Sequence, residues 1–224
     1  MNLKKLTDQI LLFEADFVKE LSLSFFRVQE FYESKNSNLL RKQFSVIEFL
    51  EESMSKEGLL DYFWMWEGYN IPGDVFLEWN NLFVYSELTP RERELRHNII
   101  NNTQRGIPFY VIGALKKDSR TIDHEIAHAF WYLDEEYQND MNILNIELKL
   151  ICPKQYKKIV KYLDKLGYNE SVIEDEIQAY LSTERKKELQ EPEDFGLEYT
   201  KEFERLVREY RKVLKKYKNK LLNK

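Results

Sequence analysis

The stretch that decides the fold is "PFYVIGALKKDSRTIDHEIAHAFWYL", residues 108–133. Its first eight residues are rich in β-branched and aromatic types, which predicts a strand. The leading proline favours a position at the sheet edge, because proline cannot donate to a strand ladder. "KKDSR" then predicts a turn in which Asp118 or Ser119 caps the next helix. That helix is predicted to continue to Leu133.

The rest of the chain is predicted to be mainly helical, because only 7 Gly and 5 Pro interrupt its 224 residues and apolar residues recur at three-to-four spacing. The segment "FSVIEFL", 44–50, fits either a strand or a helical turn, and "GYNIPGD", 68–74, has the composition of a turn. We therefore predict an α+β fold, predominantly helical, in a single domain over 1–224. The predicted helices cover residues 3–33, 89–102, a stretch beginning within 140–148, a stretch that starts at Pro153 and stops at Gly167, 170–183 and 197–222.

Composition limits the classes of function. Hydrophobic residues make up 43% and charged residues 33%, as in globular proteins. The formal net charge of -5 argues against general nucleic-acid binding. Acidic residues interrupt the start of the chain and no apolar run is long enough to span a bilayer, so we expect neither a signal peptide nor a transmembrane segment, and a cytoplasmic location. Cys152 is the single cysteine, so any metal must be held by histidines and carboxylates.

His124 and His128 lie four residues apart in the helical part of the opening stretch. Residues at this spacing lie on successive turns of one helix face, so both imidazoles can reach one metal ion. Glu125 is offset by about 100° and could take a proton from a water on that ion, as in H-E-x-x-H sites. The alternative is that both histidines are satisfied core residues. With only three histidines in the chain, we favour metal binding.

A third ligand is predicted in "SVIEDEIQAYL", 171–181. At about 100° per residue, Glu176 falls within the apolar face of this helix, whereas Glu174 and Asp175 fall on the opposite side together with Gln178 and Ser182. A buried carboxylate needs a cation beside it. That cation could be a Lys or Arg, but a metal ion already held by two histidines is the better candidate.

Together, these residues resemble the zincin metallopeptidases, in particular the gluzincin branch. The resemblance covers residues 108–183, the predicted metallopeptidase-like core on which the N- and C-terminal helices pack, and it implies a zincin-like active-site helix flanked by a small sheet. It also implies Zn²⁺ bound by His124, His128 and Glu176, with Glu125 as general base. Thermolysin-like enzymes carry an Asp four residues after the ligand Glu; this chain has Tyr180 there.

The residue that would stabilise an oxyanion is less clearly marked. Tyr180 lies one turn beyond Glu176 on the same predicted face, and we name it as the catalytic candidate. Tyr168 and His97 are the other candidates. For each tyrosine the favoured alternative is a core residue whose hydroxyl is satisfied.

The sequence thus predicts a zinc metallopeptidase that acts on a peptide or protein substrate. Two other functions stay open: a zinc hydrolase of a non-peptide amide or ester, and a non-catalytic helical interaction protein with a structural metal or none. The C-terminal segment, residues 201–224, bears ten Lys or Arg and three Glu. It could contact an acidic partner or membrane surface, or it could pack its apolar stripe on the core.

Overall fold

The computed structural model describes residues 1–34, 36–54, 63–64, 66–166, 168 and 170–222. These residues are mostly helical and include a small mixed sheet of four strands, so the predicted α+β, predominantly helical class is confirmed. Backbone contacts divide the chain into two compact units, Met1–Glu125 and Ile126–Lys224. The boundary falls inside a helix, and the single domain remains a prediction.

The sheet lies in the first unit and joins strands that are far apart in sequence. Its order is β1-β2-β4-β3, in which β2 and β4 are parallel and the two outer pairs are antiparallel. Ile10 of β2 pairs with Tyr110 of β4. The strands are β1 (Asn2–Lys5), β2 (Ile10–Ala15), β3 (Gly68–Pro72) and β4 (Tyr110–Leu115).

The predicted helix over residues 3–33 is wrong in its first half. That half forms β1 and β2, and the helix α1 covers only Val18–Glu33. The Thr7 hydroxyl accepts hydrogen bonds from the backbone N–H groups of Gln9 (3.1 Å) and Ile10 (3.0 Å), which holds the turn between the strands. Every residue of β2 is buried. A strand buried on both faces has no polar face, so its apolar residues also fit a helical spacing.

Two expectations about the strands are also wrong. The strand β4 is not at an edge, because it pairs with β2 on one side and β3 on the other. The edge strands are β1 and β3, and β3 lies in the segment predicted to be a turn. Its Pro72 stands at the last strand position, and the Gly73 N–H donates to the Phe109 carbonyl (2.8 Å). A Cβ at Gly73 would come within 2.5 Å of that carbonyl oxygen, so glycine is required there.

Helices accompany the sheet in the first unit, and α1 contacts β2, β3 and β4. The helix α4 (Pro90–Asn102) starts as predicted, with a capping box between Thr89 and Glu92. Glu92 also accepts two hydrogen bonds of 2.6 Å from Arg27 of α1, and both side chains are buried. The undecided segment 44–50 is largely helical. The remaining bounds are α2 (Val46–Met54), α3 (Gly73–Leu82) and α4 (Pro90–Asn102).

The helix α5, Ser119–Leu133, contains the unit boundary, and the helices after it belong to the second unit. In that unit α8 contacts α6, α7 and α10. The short helix α9 was not predicted. The bounds are α6 (Glu135–Ile151), α7 (Pro153–Leu166), α8 (Ile173–Thr183), α9 (Lys186–Gln190) and α10 (Lys201–Leu222).

The C-terminal helix α10 packs its apolar stripe inside the second unit. Leu206 and Tyr210 are fully buried there, and α10 contacts both α6 and α8. Basic side chains beside the stripe form ion pairs with acids of α6, among them Lys216 with Asp140 at 2.9 Å. The stripe is therefore a packing surface within this unit.

No helix in the described ranges combines the length and the apolar character needed to cross a membrane.

Candidate metal centre

The helix α5 presents His124 and His128 as the sequence predicts. It begins at Ser119, where Asp118 accepts hydrogen bonds from the Thr121 N–H (3.2 Å) and the Thr121 hydroxyl (2.7 Å). The helix is continuous through both histidines to Leu133. His124 is partly buried, and His128 is 2% exposed.

Glu176 of α8 is 3% exposed, so the prediction that this carboxylate faces inward is confirmed. His124, His128 and Glu176 each offer one ligand atom, and these atoms lie within 4.8 Å of one another. The distance from His128 Nε2 to Glu176 Oε1 is 3.6 Å. In the part of the chain that the structure describes, these residues are the single group of three with this geometry. The third histidine, His97, is exposed on α4 beside Asn101.

The three residues fit a tetrahedral zinc ion. Zinc binds nitrogen and carboxylate oxygen at about 2.0 to 2.2 Å, which separates two ligand atoms by roughly 3.4 Å. The 3.6 Å between His128 Nε2 and Glu176 Oε1 is close to that separation, and the ligand atom of His124 lies within 4.8 Å of both. Among the described residues, no fourth ligand belongs to this group. Three protein ligands and one open position are typical of catalytic zinc sites.

The second ring nitrogen of His128 contacts an acid that the sequence analysis placed wrongly. His128 Nδ1 lies 2.9 Å from Asp175 Oδ1. Asp175 was predicted to lie on the outer side of its helix together with Gln178 and Ser182, yet both of those residues are buried. Because α8 contacts three other helices, it buries polar residues as well as its apolar face. Helical periodicity alone does not distinguish a buried polar residue from a solvated one.

Glu125, the predicted general base, is 6% exposed. Its carboxylate lies against Gly68 of the edge strand β3 in the first unit. A Cβ at Gly68 would overlap Glu125 Oε1 and come within 2.7 Å of the Thr121 methyl group. The absence of a side chain at Gly68 therefore makes room for the Glu125 carboxylate, a constraint that the sequence analysis did not identify.

Tyr180, the predicted oxyanion stabiliser, lies one turn beyond Glu176 on α8. Its hydroxyl is 3.5 Å from that of Tyr168, and its ring packs against Phe195 at 5.1 Å. Burial, followed by the negative charge of Glu176, raises the pKa of Tyr180 above its usual value. The hydroxyl therefore keeps its proton and can donate a hydrogen bond. Its catalytic role remains a prediction.

Neither a scan against models of protein families nor searches of curated proteins and of solved structures found a match to this chain. The interpretation of the site consequently depends on its own geometry and chemistry.

Proposed function

We propose that this protein is a zinc-dependent hydrolase, specifically a metallopeptidase, with His124, His128 and Glu176 as zinc ligands. The observation that carries the proposal is the approach of these three ligand atoms to within 4.8 Å. Two imidazoles and a carboxylate form a ligand set that suits zinc among the common divalent ions. The resemblance of the sequence to gluzincins points to the same ligands.

A zinc ion bound there would polarise a substrate carbonyl and lower the pKa of a coordinated water to about 7. Glu125 follows His124 directly, so its carboxylate is offset by about 100° around the helix and does not compete for the metal. In our proposal this carboxylate takes a proton from the attacking water and delivers it to the leaving amine. Tyr180 is the proposed donor to the developing oxyanion.

The proposal is tested on protein purified without a histidine tag, by metal analysis and by hydrolysis of a fluorogenic peptide library. We expect about one zinc per chain and peptide cleavage that a chelator abolishes and added zinc restores. Absence of metal even after zinc addition would overturn the proposal and favour a helical interaction protein. If the protein binds zinc but cleaves only esters or non-peptide amides, the result would contradict peptidase activity and favour a different zinc hydrolase.

The contact between Gly68 and Glu125 gives a separate prediction. In Gly68→Ala the new methyl group displaces the Glu125 carboxylate, since the two would overlap. We expect kcat to fall by about 10²-fold, as for a catalytic group moved by roughly 1 Å. Steady-state kinetics measure this change, while metal analysis should still find zinc because no ligand is altered. An unchanged kcat would exclude Gly68 as the residue that makes room for the base.

A further inference from the structure

A chain of three hydrogen bonds runs from α6 through α8 to His128, within the second unit. The Tyr137 hydroxyl donates to Gln178 Oε1 at 2.6 Å. Gln178 Nε2 donates to Asp175 Oδ1 at 2.8 Å. That same oxygen lies 2.9 Å from His128 Nδ1. The chain thus ends at the ring whose other nitrogen, Nε2, lies 3.6 Å from Glu176 Oε1.

The chemistry of Asp175 sets the direction of every bond in this chain. A carboxylate only accepts hydrogen bonds, so the Gln178 side chain must present its NH₂ group to Asp175. The Gln178 carbonyl oxygen then faces Tyr137, whose hydroxyl must act as the donor. On the other side, His128 must carry its proton on Nδ1. A neutral imidazole in this tautomer carries its lone pair on Nε2, the nitrogen that would bind a metal.

Tyr137, at the far end of this series of hydrogen bonds, is suited to act as a lasting donor to Gln178. Tyr137 and Gln178 are both fully buried, so water does not compete for their hydrogen bonds. Burial, assisted by the negative charge of Asp175, raises the pKa of Tyr137 well above its usual value. The hydroxyl therefore stays protonated and keeps donating. Without that donor, the Gln178 amide could rotate and turn its oxygen toward the Asp175 carboxylate, which would repel it.

We propose that Tyr137, Gln178 and Asp175 are positioning residues that hold the His128 ring and its tautomer ready for the metal. This inference rests on the proposed function, since it requires that His124, His128 and Glu176 bind zinc. Partners of this kind around metal-bound histidines typically contribute 10- to 100-fold to metal affinity.

The test measures the zinc affinity of the full chain by competition with a chromogenic chelator. We expect Asp175→Ala to weaken zinc binding by about 10- to 100-fold. Tyr137→Phe keeps the ring and removes one hydrogen bond, so we expect a loss of about 3- to 10-fold. The matched control is Tyr156→Phe. It removes a hydroxyl that donates at 3.1 Å to Glu174 of α8, the helix that also carries Asp175. That variant should bind zinc like the wild type.

A double-mutant cycle separates positioning from general stability. Once Asp175→Ala has interrupted the series of hydrogen bonds, adding Tyr137→Phe should not weaken zinc binding further. The thermal midpoint of the metal-free protein is measured in parallel. Fully additive losses of affinity, or unchanged affinity in both single variants, would overturn this inference while the zinc site stands. A wild-type chain that binds no zinc would overturn the proposed function and this inference with it.

Discussion

Replacement of Glu125 by Gln should abolish peptide hydrolysis while zinc stays bound. Gln has the same shape as Glu, but its amide cannot accept a proton as a general base. We expect kcat/KM to fall by about 10²- to 10⁴-fold, the usual contribution of a positioned acid or base. Steady-state kinetics with a fluorogenic peptide measure the loss, and metal analysis of the same sample should find about one zinc per chain.

The matched control for this substitution is Glu136→Gln, at an exposed position of α6 where the carboxylate pairs with Lys220. The same chemical change there should leave kcat/KM unaltered. Hydrolysis at the wild-type rate by Glu125→Gln would exclude Glu125 as the base. Zinc lost from Glu125→Gln would instead place this carboxylate among the ligands.

The second large effect is the loss of zinc expected from Glu176→Ala. Glu176 is a buried member of the ligand group, so its removal leaves two histidines, which are insufficient to hold zinc tightly. The neighbouring variant Glu174→Ala should keep about one zinc per chain, because the Glu174 carboxylate accepts from Tyr156 at 3.1 Å and does not belong to the group. Metal analysis after dialysis against a weak chelator measures both variants.

Removal of a buried carboxylate could also change stability, so the thermal midpoint of each metal-free variant accompanies the analysis. A Glu176→Ala protein that folds and keeps its zinc would remove Glu176 from the ligand set. Loss of zinc from Glu174→Ala alone would show that the other side of α8 faces the metal.

Several parts of the structure follow from neighbouring residues and were predictable. Thr89 and Glu92 satisfy each other across one helical turn, so the start of α4 needs no distant partner. The spacing of His124 and His128 sets their common helix face in the same local way. Glu176 was assigned inward by the apolar residues around it, and its burial agrees.

Other parts depended on residues distant in sequence. The strand β2 is buried throughout, and its apolar residues also fit a helical spacing. Its pairing with β4, about a hundred residues further on, makes it a strand. The same pairing places β4 inside the sheet and leaves β3 at the edge. Hydrophobic periodicity reports burial, not the partner that covers a segment, so it could not assign these positions.

In the candidate site, too, some features follow from neighbouring residues and others depend on residues distant in sequence. The amino-acid sequence by itself determined the two histidines on one helix face, the adjacent Glu125 and the inward Glu176, because helical geometry relates residues a few positions apart. Only the tertiary structure brought Asp175 to His128 and Gly68 to Glu125. Those contacts join elements that are separate in sequence, and the packing of whole helices and strands, which no local pattern encodes, decides them.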